Sequence, residues 1–241
     1  MSVRSAELYD LRTKRIDSDR QALVDLVGAG STLEVGCGTG RVLQWLAQSG
    51  CRRLVGVERD SDMLEIARRK FEGLEGVELV RSDFLDFRTG EKFDRVLFAF
   101  NVLAEFQGPE RRIAALSHAR NLLAPDGCVV VVNMMHNFED FSRSATHREF
   151  EIGSGKETWT VTIHCSRDRV LQRSFCRVAY HNVATGEEVR DAYVVDLLTR
   201  SELRACYIAA GLSIAAEYGS YALGRVDEES DVLISVLKSQ S

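Results

Sequence analysis

Apolar residues follow two different spacings along the chain, and the change from one to the other divides it. Up to about residue 133, stretches with helical spacing alternate with short runs that are almost wholly apolar. Helices that alternate with apolar strands are typical of a parallel sheet covered by helices on both faces, the doubly wound α/β architecture. The predicted strands are 31–36, 54–58, 77–81, 93–100 and 128–133, and the predicted helices are 12–27, 40–49, 62–71 and 109–123.

A second pattern covers residues 148–198, where apolar and polar side chains alternate with period two. It predicts three antiparallel strands, 158–164, 171–179 and 189–197, inserted as a meander after the fifth strand. A helix at 200–210 and strands at 212–218 and 232–237 then close the main sheet with an antiparallel hairpin, which makes seven strands. We therefore predict one domain over 1–241, with 1–30 as a helical cover and 148–198 as a substrate-side sheet. An edge extension that serves only solubility or dimerisation is the alternative for the insertion.

The composition narrows the class of partner. With 241 residues, of which 45% are apolar and 28% charged, the chain can close one sizeable core. The net charge of −5 argues against nucleic acid as the main partner. No apolar run approaches ~18 residues and the N-terminal segment is charged, which predicts a soluble cytoplasmic protein without a membrane partner. The six cysteines form no C-x-x-C pair and have no histidine at zinc spacing, so we expect buried free thiols, no disulfide framework and no metal.

Three alternating glycines follow the first predicted strand directly. Gly36, Gly38 and Gly40 come behind an apolar run that carries Glu34, and they predict a tight strand-to-helix turn on whose bare backbone a ligand lies. A dinucleotide site requires its third glycine three residues after the second, and that position is Arg41. The spacing therefore disfavours a dinucleotide. A glycine-rich turn that binds nothing is the alternative.

Acidic residues stand at the ends of the next two predicted strands. Glu58 ends the second strand, where a carboxylate can accept both hydroxyls of a ribose. Asp83 follows the third strand, where it can bond an adenine amino group while Phe84 covers the ring. The alternative for Glu58 is a solvated charge, and the alternative for Asp83 is an aspartate that only forms a turn.

The order and spacing of these motifs resemble the class I S-adenosylmethionine-dependent methyltransferases. The sequence E-x-G-x-G-x-G at 34–40 resembles their motif I, and Pro125-Asp126-Gly127 resembles the turn before their fifth strand. The resemblance implies a Rossmann-like seven-stranded sheet and S-adenosylmethionine as cofactor, with S-adenosylhomocysteine as product.

The resemblance also implies roles for individual residues of the cofactor site. Glu34 would face the methionine ammonium, Met63 would pack on the adenine, and Phe100 would border the sulfonium. The implied cofactor contacts are Tyr9, Glu34, Gly36, Gly38, Gly40, Glu58, Arg59, Met63, Asp83, Phe84 and Phe100. In members that methylate nucleic-acid bases, Pro-Pro and an aromatic residue follow the asparagine or aspartate at the position of Asn101. Here Val-Leu-Ala follows it, which argues against DNA or RNA as substrate.

Within that family, the size, the inserted sheet and the N-terminal Tyr9-Asp10 segment resemble the small-molecule and peptide-amine N-methyltransferases. The resemblance implies direct in-line methyl transfer to an amine of a small metabolite, an aminosugar or a peptide N-terminus. O-methylation of a natural-product hydroxyl or carboxyl is one alternative, and an inactive cofactor-binding partner protein is another. We expect a monomer or a homodimer.

Residues on the acceptor side are the least specific part of the sequence. An amine must arrive unprotonated, so a base near the acceptor is useful. His136, just past the fifth predicted strand, is the first candidate base and Tyr9 the second. We expect Asn101, His136, Trp159 and Tyr193 to line the acceptor site, although an exposed loop histidine and packing aromatics are the alternatives.

Overall fold

The computed structural model describes residues 2–136 and 144–240, and it confirms the predicted α/β architecture. Five parallel strands and a terminal antiparallel pair form a seven-stranded sheet in the order β10-β11-β5-β4-β1-β2-β3. Its strands are β1 Ser31–Val35, β2 Arg53–Glu58, β3 Val77–Arg81, β4 Phe93–Phe98, β5 Leu123–Met134, β10 Leu212–Tyr218 and β11 Val232–Ser239. The helices are α1 Val3–Thr13, α2 Arg20–Val27, α3 Arg41–Gln48, α4 Ser61–Phe71, α5 Pro109–Asn121 and α6 Arg200–Ala209.

Two apolar clusters cover the two faces of this sheet. One joins the sheet to α5 and α6, and the other joins it to α2, α3 and α4. Burial on both faces explains why the parallel strands are almost wholly apolar. Since all the parallel strands run the same way, the ends of β1, β2, β3 and β4 meet at one edge, where ligands bind in open α/β sheets.

The predicted helix at 12–27 is wrong, because the chain forms two helices with a turn between them. Ser2 caps α1 by accepting from the backbone N–H of Ser5, and α1 ends at Thr13. The turn between the helices is held by Arg41 of α3, which donates to the Ile16 carbonyl and to both oxygens of Asp19 at 2.8–2.9 Å. A long-range ion pair therefore sets this boundary.

The inserted sheet has four strands, so the prediction of three is wrong by one. It consists of β6 Ala145–Ile152, β7 Trp159–Asp168, β8 Arg173–Asn182 and β9 Glu188–Asp196, paired in that order. The additional strand, β6, lies at the edge and is exposed over most of its length. An exposed edge strand needs no apolar alternation, which is why the sequence pattern did not reveal it.

The prediction of six free cysteines is also wrong. Cys165 of β7 and Cys176 of β8 face each other across the ladder and form a disulfide, whereas Cys37, Cys51, Cys128 and Cys206 are free. The 11-residue separation carries no motif in the sequence. Only the register of two paired strands brings the sulfur atoms together.

Membrane-spanning helices and metal-ligand clusters are absent from the parts of the chain that the structure describes. No helix there combines the length and the apolar character that crossing a bilayer requires. Within the same residues, no three His, Cys, Asp or Glu side chains converge as metal ligands do.

Candidate functional site

The glycine turn between β1 and α3 forms the centre of the site. All three of its glycines have positive φ, 65° at Gly36, 55° at Gly38 and 79° at Gly40, which is a conformation that other residues rarely adopt. A Cβ at Gly36 would lie 2.9 Å from Val102, and one at Gly40 would lie 2.6 Å from the ring of Phe71. A Cβ at Gly38 would meet nothing within 4 Å. Other side chains of the protein therefore fill the space beside Gly36 and Gly40, whereas the space beside Gly38 is open.

Glu58 fastens the end of β2 to this turn. One carboxylate oxygen accepts from the backbone N–H of Gly38 at 3.0 Å, and the other accepts from that of Asp60 at 2.8 Å. Asp60 in turn caps α4 by accepting from the N–H groups of Asp62 and Met63. The Glu58 carboxylate is thus held in one orientation beside the open glycine.

A cavity of about 510 Å³, counting its open mouth, lies along the ends of β1, β2 and β3. Five of the predicted cofactor residues line it together: Gly36, Glu58, Arg59, Asp83 and Phe84. The other lining residues are Val35, Val57, Ser82, Val102, Glu105, Phe106 and Arg111. The lining combines apolar side chains with three carboxylates and two guanidinium groups.

Asp83 and Phe84 form the wall farthest along the sheet edge. One oxygen of Asp83 accepts from the N–H of Leu85 at 2.9 Å, and the other lies 3.4 Å from the guanidinium of Arg111. Phe84 is 4% exposed and packs edge-on against Phe98 with the ring centroids 5.7 Å apart. Phe84 is therefore mainly a core residue, and only the edge of its side chain lines the cavity.

Sequence reasoning missed Glu105, which lines the same cavity from the 3-10 helix Val102–Glu105. Its carboxylate lies 3.4 Å from the guanidinium of Arg59. Desolvation raises the pKa of Glu105, the nearby charge of Glu58 raises it further, and Arg59 opposes both. The only signal in the sequence was an acid a few residues beyond the end of a strand, which is too common to single out.

Glu34 lies below the turn and is 3% exposed. Desolvation is the main cause that raises its pKa to about 8, although the charge of Arg41 acts in the opposite direction. Its Oε2 is buried and has no hydrogen-bond partner in the protein. A buried oxygen without a partner is costly, and a cationic or hydrogen-bonding ligand group at this point would offset that cost.

Helix α1 forms a roof over the site. The carboxylate of Asp10 accepts from the hydroxyl of Thr39 in the glycine turn at 2.7 Å and pairs with Lys70 of α4. Tyr9, on the same helix, is partly buried, and desolvation raises its pKa to about 12. The charges of Glu58 and Glu105 both act on its phenol, which therefore lies close to the cavity.

Phe100 and Asn101 follow β4 with φ values of 49° and 68°. The side chain of Asn101 accepts from the backbone N–H of Met134 at 3.1 Å and so joins the ends of β4 and β5. The ring of Phe100 is 38% exposed, and the guanidinium of Arg41 lies 4.8 Å from its centre. Arg41, which replaces the third glycine of a dinucleotide motif, therefore connects α3, the preceding turn and Phe100.

His136 lies just past the end of β5, at the margin of the described residues. Its Nδ1 is 3.3 Å from the carbonyl oxygen of Leu198. A carbonyl can only accept, so Nδ1 donates, and Nε2 carries the lone pair in that tautomer.

Met63 and Trp159 do not occupy the places that the sequence predicted for them. Met63 is 8% exposed and packs with Ala6, Ile66 and Tyr9 under the roof helix, outside the wall of the cavity. Trp159 is fully buried between the inserted sheet and α1, with the guanidinium of Arg4 at 5.0 Å from its ring. Both are packing residues, because α1 covers the faces that were expected to meet a ligand.

Tyr193 of β9 is 38% exposed on the face of the inserted sheet that looks toward α1. Desolvation raises its pKa, and among nearby charges Arg12 and Arg148 lower it while Glu105 raises it. Tyr193 does not line the cavity, and its place on the acceptor side stays a prediction.

Comparison with known proteins places this geometry in a family. Residues 32–127, which hold the glycine turn, Glu58 and Asp83, match the model of the methyltransferase domain. The chain is 33% identical over 223 residues to dTDP-3-amino-3,6-dideoxy-alpha-D-glucopyranose N,N-dimethyltransferase of Streptomyces fradiae, covering 87% of this chain and 84% of the relative. It is 30% identical over 221 residues to dTDP-3-amino-3,4,6-trideoxy-alpha-D-glucopyranose N,N-dimethyltransferase of Streptomyces venezuelae, covering 87% and 90%.

The fold has solved counterparts as well. The CcbJ methyltransferase from Streptomyces caelestis matches with a TM-score of 0.79 and 25% sequence identity, covering 93% of this chain and 90% of that one. With relatives of this identity matched over most of their length, the chain belongs to the class I S-adenosylmethionine-dependent methyltransferases of the N-methyltransferase type, and its cofactor is S-adenosylmethionine.

Proposed function

We propose that this enzyme methylates the amino group of a small-molecule acceptor, and that the acceptor is an amino sugar. The observation that carries the proposal is the match to two amino-sugar N,N-dimethyltransferases over 87% of the chain. Such a span extends well beyond the cofactor-binding residues 32–127 and takes in part of the inserted sheet on the acceptor side.

The cofactor site suits S-adenosylmethionine on two structural grounds. The unpartnered Oε2 of Glu34 is a place for the methionine ammonium, and the open face of Gly38 admits a ligand where a side chain would stand. We assign the ribose hydroxyls to Glu58 and the adenine to Asp83 and Phe84, which line the same cavity. When bound, the cofactor supplies a methyl group that is already activated by its sulfonium.

The acceptor side has to hold a neutral amine in line with that methyl group. A phenol keeps its proton at neutral pH, and the rise of the Tyr9 pKa from 10 to about 12 makes loss of that proton harder still, so Tyr9 serves as a hydrogen-bond donor that orients the acceptor rather than as a base. His136 is the better candidate to receive the amine proton, since it stands just past the end of β5 and an imidazole can accept a proton near neutral pH. Asn101 and Tyr193 complete the proposed acceptor contacts.

Cofactor binding is the first test, and it uses thermal unfolding. A ligand present at 100 times its Kd stabilises a protein by about 2.7 kcal/mol. We expect S-adenosylhomocysteine to raise the melting temperature accordingly and NAD to leave it unchanged. The reverse result contradicts the proposed site.

The second test is incubation of the enzyme with amino sugars, hydroxyl analogues and short peptides, followed by mass spectrometry. We expect amino sugars to gain one or two methyl groups and the hydroxyl analogues to gain none. For an amine acceptor, the rate also rises with pH through the acceptor's own pKa, which distinguishes N- from O-methylation. If only peptides are methylated, the acceptor is a peptide N-terminus and not an amino sugar. If S-adenosylhomocysteine binds but no acceptor is methylated, the result favours an inactive partner protein.

A further inference from the structure

Asp196 is a buried carboxylate at the end of β9, the last strand of the inserted sheet. Its side chain is 6% exposed. One oxygen accepts from Nε of Arg173 on β8 at 2.7 Å. The other accepts from Nη1 of Arg112 on α5 and from the backbone N–H of Gly108 at 2.8 Å. Asp196 therefore ties the inserted sheet to α5 and to the residue that precedes it.

Arg112 extends this link to the backbone of the neighbouring loop. It is 5% exposed, and its Nη1 also donates to the carbonyl oxygen of Phe106 at 3.2 Å. The Phe106 carbonyl and the Gly108 N–H are thus held by the same buried pair of Arg112 and Asp196. Residues 106–108 connect the 3-10 helix Val102–Glu105 to α5. Their backbone is therefore held in place from the side of the inserted sheet.

The loop held in this way begins in the wall of the cavity. Glu105 and Phe106 both line the cavity. The ring of Phe106 stands edge-on to that of Phe84, with the centroids 6.4 Å apart, and edge-on to that of Phe98 at 6.1 Å. Phe84 is the residue beside which the adenine is proposed to lie. Phe106 therefore belongs to the nucleoside end of the cavity.

The charges of this network favour a single arrangement. Desolvation acts to raise the pKa of Asp196, but the bonds from Arg173, Gly108 and Arg112 outweigh it and hold that pKa below its ordinary value. Asp196 is therefore ionised between two guanidinium groups. Any displacement of Arg112 would separate two buried opposite charges, which is costly. The loop is thus fixed before a ligand arrives.

We infer that Asp196 is a positioning residue for the nucleoside end of S-adenosylmethionine. The inference rests on the proposed placement of the ribose and the adenine in this cavity. Asp196 does not line the cavity itself and acts through Arg112 and the backbone of residues 106–108, which keep Phe106 beside Phe84. A wall that is held before binding spares the ligand the cost of ordering it. The inserted sheet then supports cofactor binding in addition to its proposed place on the acceptor side.

Calorimetric titration of Asp196→Asn with two ligands tests this inference. The ligands are S-adenosylhomocysteine and methylthioadenosine, which keeps the nucleoside but lacks the amino-acid end. Asparagine has the same size but lacks the charge that holds Arg112. We expect both ligands to bind about tenfold more weakly and by equal factors, because both must order the same wall. Without ligand, the amide of Gly108 should exchange its hydrogen faster than in the wild type.

Glu217→Gln is the matched control. The side chain of Glu217 is 9% exposed and pairs with Arg200, but it stands on β10 and does not line the cavity. This variant should bind both ligands like the wild type, which separates a local effect from a general loss of stability. If Asp196→Asn does not fold, the double variant Arg112→Met with Asp196→Leu replaces it, since it removes both charges of the buried pair together. The same loss of affinity is expected.

The inference is overturned if the folded Asp196 variant binds both ligands like the wild type, or if only S-adenosylhomocysteine binds more weakly. It is also overturned if Glu217→Gln loses as much affinity, or if methylthioadenosine does not bind the wild type. Glu58→Ala distinguishes these results from a failure of the proposed cofactor placement. If Glu58→Ala binds methylthioadenosine like the wild type, the placement itself is wrong. If Glu58→Ala binds it more weakly and Asp196→Asn does not, only the role of Asp196 is refuted.

Discussion

Glu34 is the single side chain whose surroundings bear most directly on the proposed contact with the methionine ammonium. It is nearly inaccessible to water and one of its oxygens lacks a partner, although it stands in the strand that leads to the glycine turn. A protein interior normally avoids such a group unless it has a function. The raised pKa of Glu34 can be measured in the protein without ligand.

The pH dependence of stability tests the Glu34 assignment. Its native pKa is about 8, whereas an unfolded glutamate titrates near its ordinary value of 4.5, so the native state binds the additional proton between these values. The free energy of unfolding therefore falls as pH rises through that window, by at most about 1.4 kcal/mol per pH unit. We expect Glu34→Gln to remove this slope in urea unfolding and to be more stable than the wild type at pH 8. Parallel curves for the two proteins from pH 5 to 8 would contradict the assignment.

Glu58 has a different role, because it organises the turn as well as facing the cavity. Glu58→Ala removes the acceptor of two backbone N–H groups, each worth about 1.5–3 kcal/mol when the acceptor is charged. We expect the dissociation constant of S-adenosylhomocysteine to rise at least about tenfold, measured by calorimetry. Glu91→Ala, which removes an exposed carboxylate away from the cavity, is the control and should bind like the wild type. Equal affinities for all three proteins would remove Glu58 from the site.

Among the elements, α1 is the one that joins the two sheets. Asp10 holds it to the glycine turn, while Arg4 and Leu8 hold it to the inserted sheet. The cofactor side and the acceptor side are therefore connected through one helix of 11 residues.

Releasing one end of α1 should show this connection. Asp10→Ala loses the bond to Thr39 and the ion pair with Lys70. We expect faster hydrogen exchange of the amides of residues 3–13 and weaker binding of S-adenosylhomocysteine, since a partly buried charged bond is worth about 1.5–3 kcal/mol. Glu7→Gln removes only exposed ion pairs and serves as the control. Unchanged exchange in Asp10→Ala would mean that packing alone holds the helix.

The disulfide of the inserted sheet can be tested by counting the cysteines that react with an alkylating reagent. Alkylation of the unfolded, unreduced protein should label four cysteines, and prior reduction should raise the number to six. Closing a loop of this size stabilises a fold by about 3 kcal/mol, so reduction should destabilise the inserted sheet by a comparable amount. Binding of S-adenosylhomocysteine should persist after reduction, because the cofactor residues lie on the other sheet. Six labels without reductant would disprove the disulfide.

For the molecule as a whole, local signals predicted the main sheet and brought five of the predicted site residues to one cavity at its edge. Apolar strands, alternating glycines and acids at strand ends are consequences of burial and of backbone contact with a ligand, and each is visible within a few residues. Glu58 and Asp83 could be placed because both lie at the ends of parallel strands, which meet at one edge.

Features that depend on contacts between distant segments could not be predicted in the same way. The break between α1 and α2 depends on Arg41, the disulfide depends on the register of β7 and β8, and the burial of Trp159 depends on where α1 docks. Edge strand β6 lacks any apolar alternation because little of it is buried. Glu105 could be recognised as a cavity residue only once the fold had placed the 3-10 helix Val102–Glu105 beside the ends of β1, β2 and β3.

The docking of α1 also has a consequence for how the protein is made. Helix α1 precedes all of its partners in the chain, and these are Thr39, Lys70, Trp159 and Glu187, the last of them 183 residues after Arg4. The glycine turn and Glu58 leave the ribosome long before the strands of the inserted sheet do. Helix α1 therefore cannot reach its full set of contacts until the chain has been translated as far as Glu187.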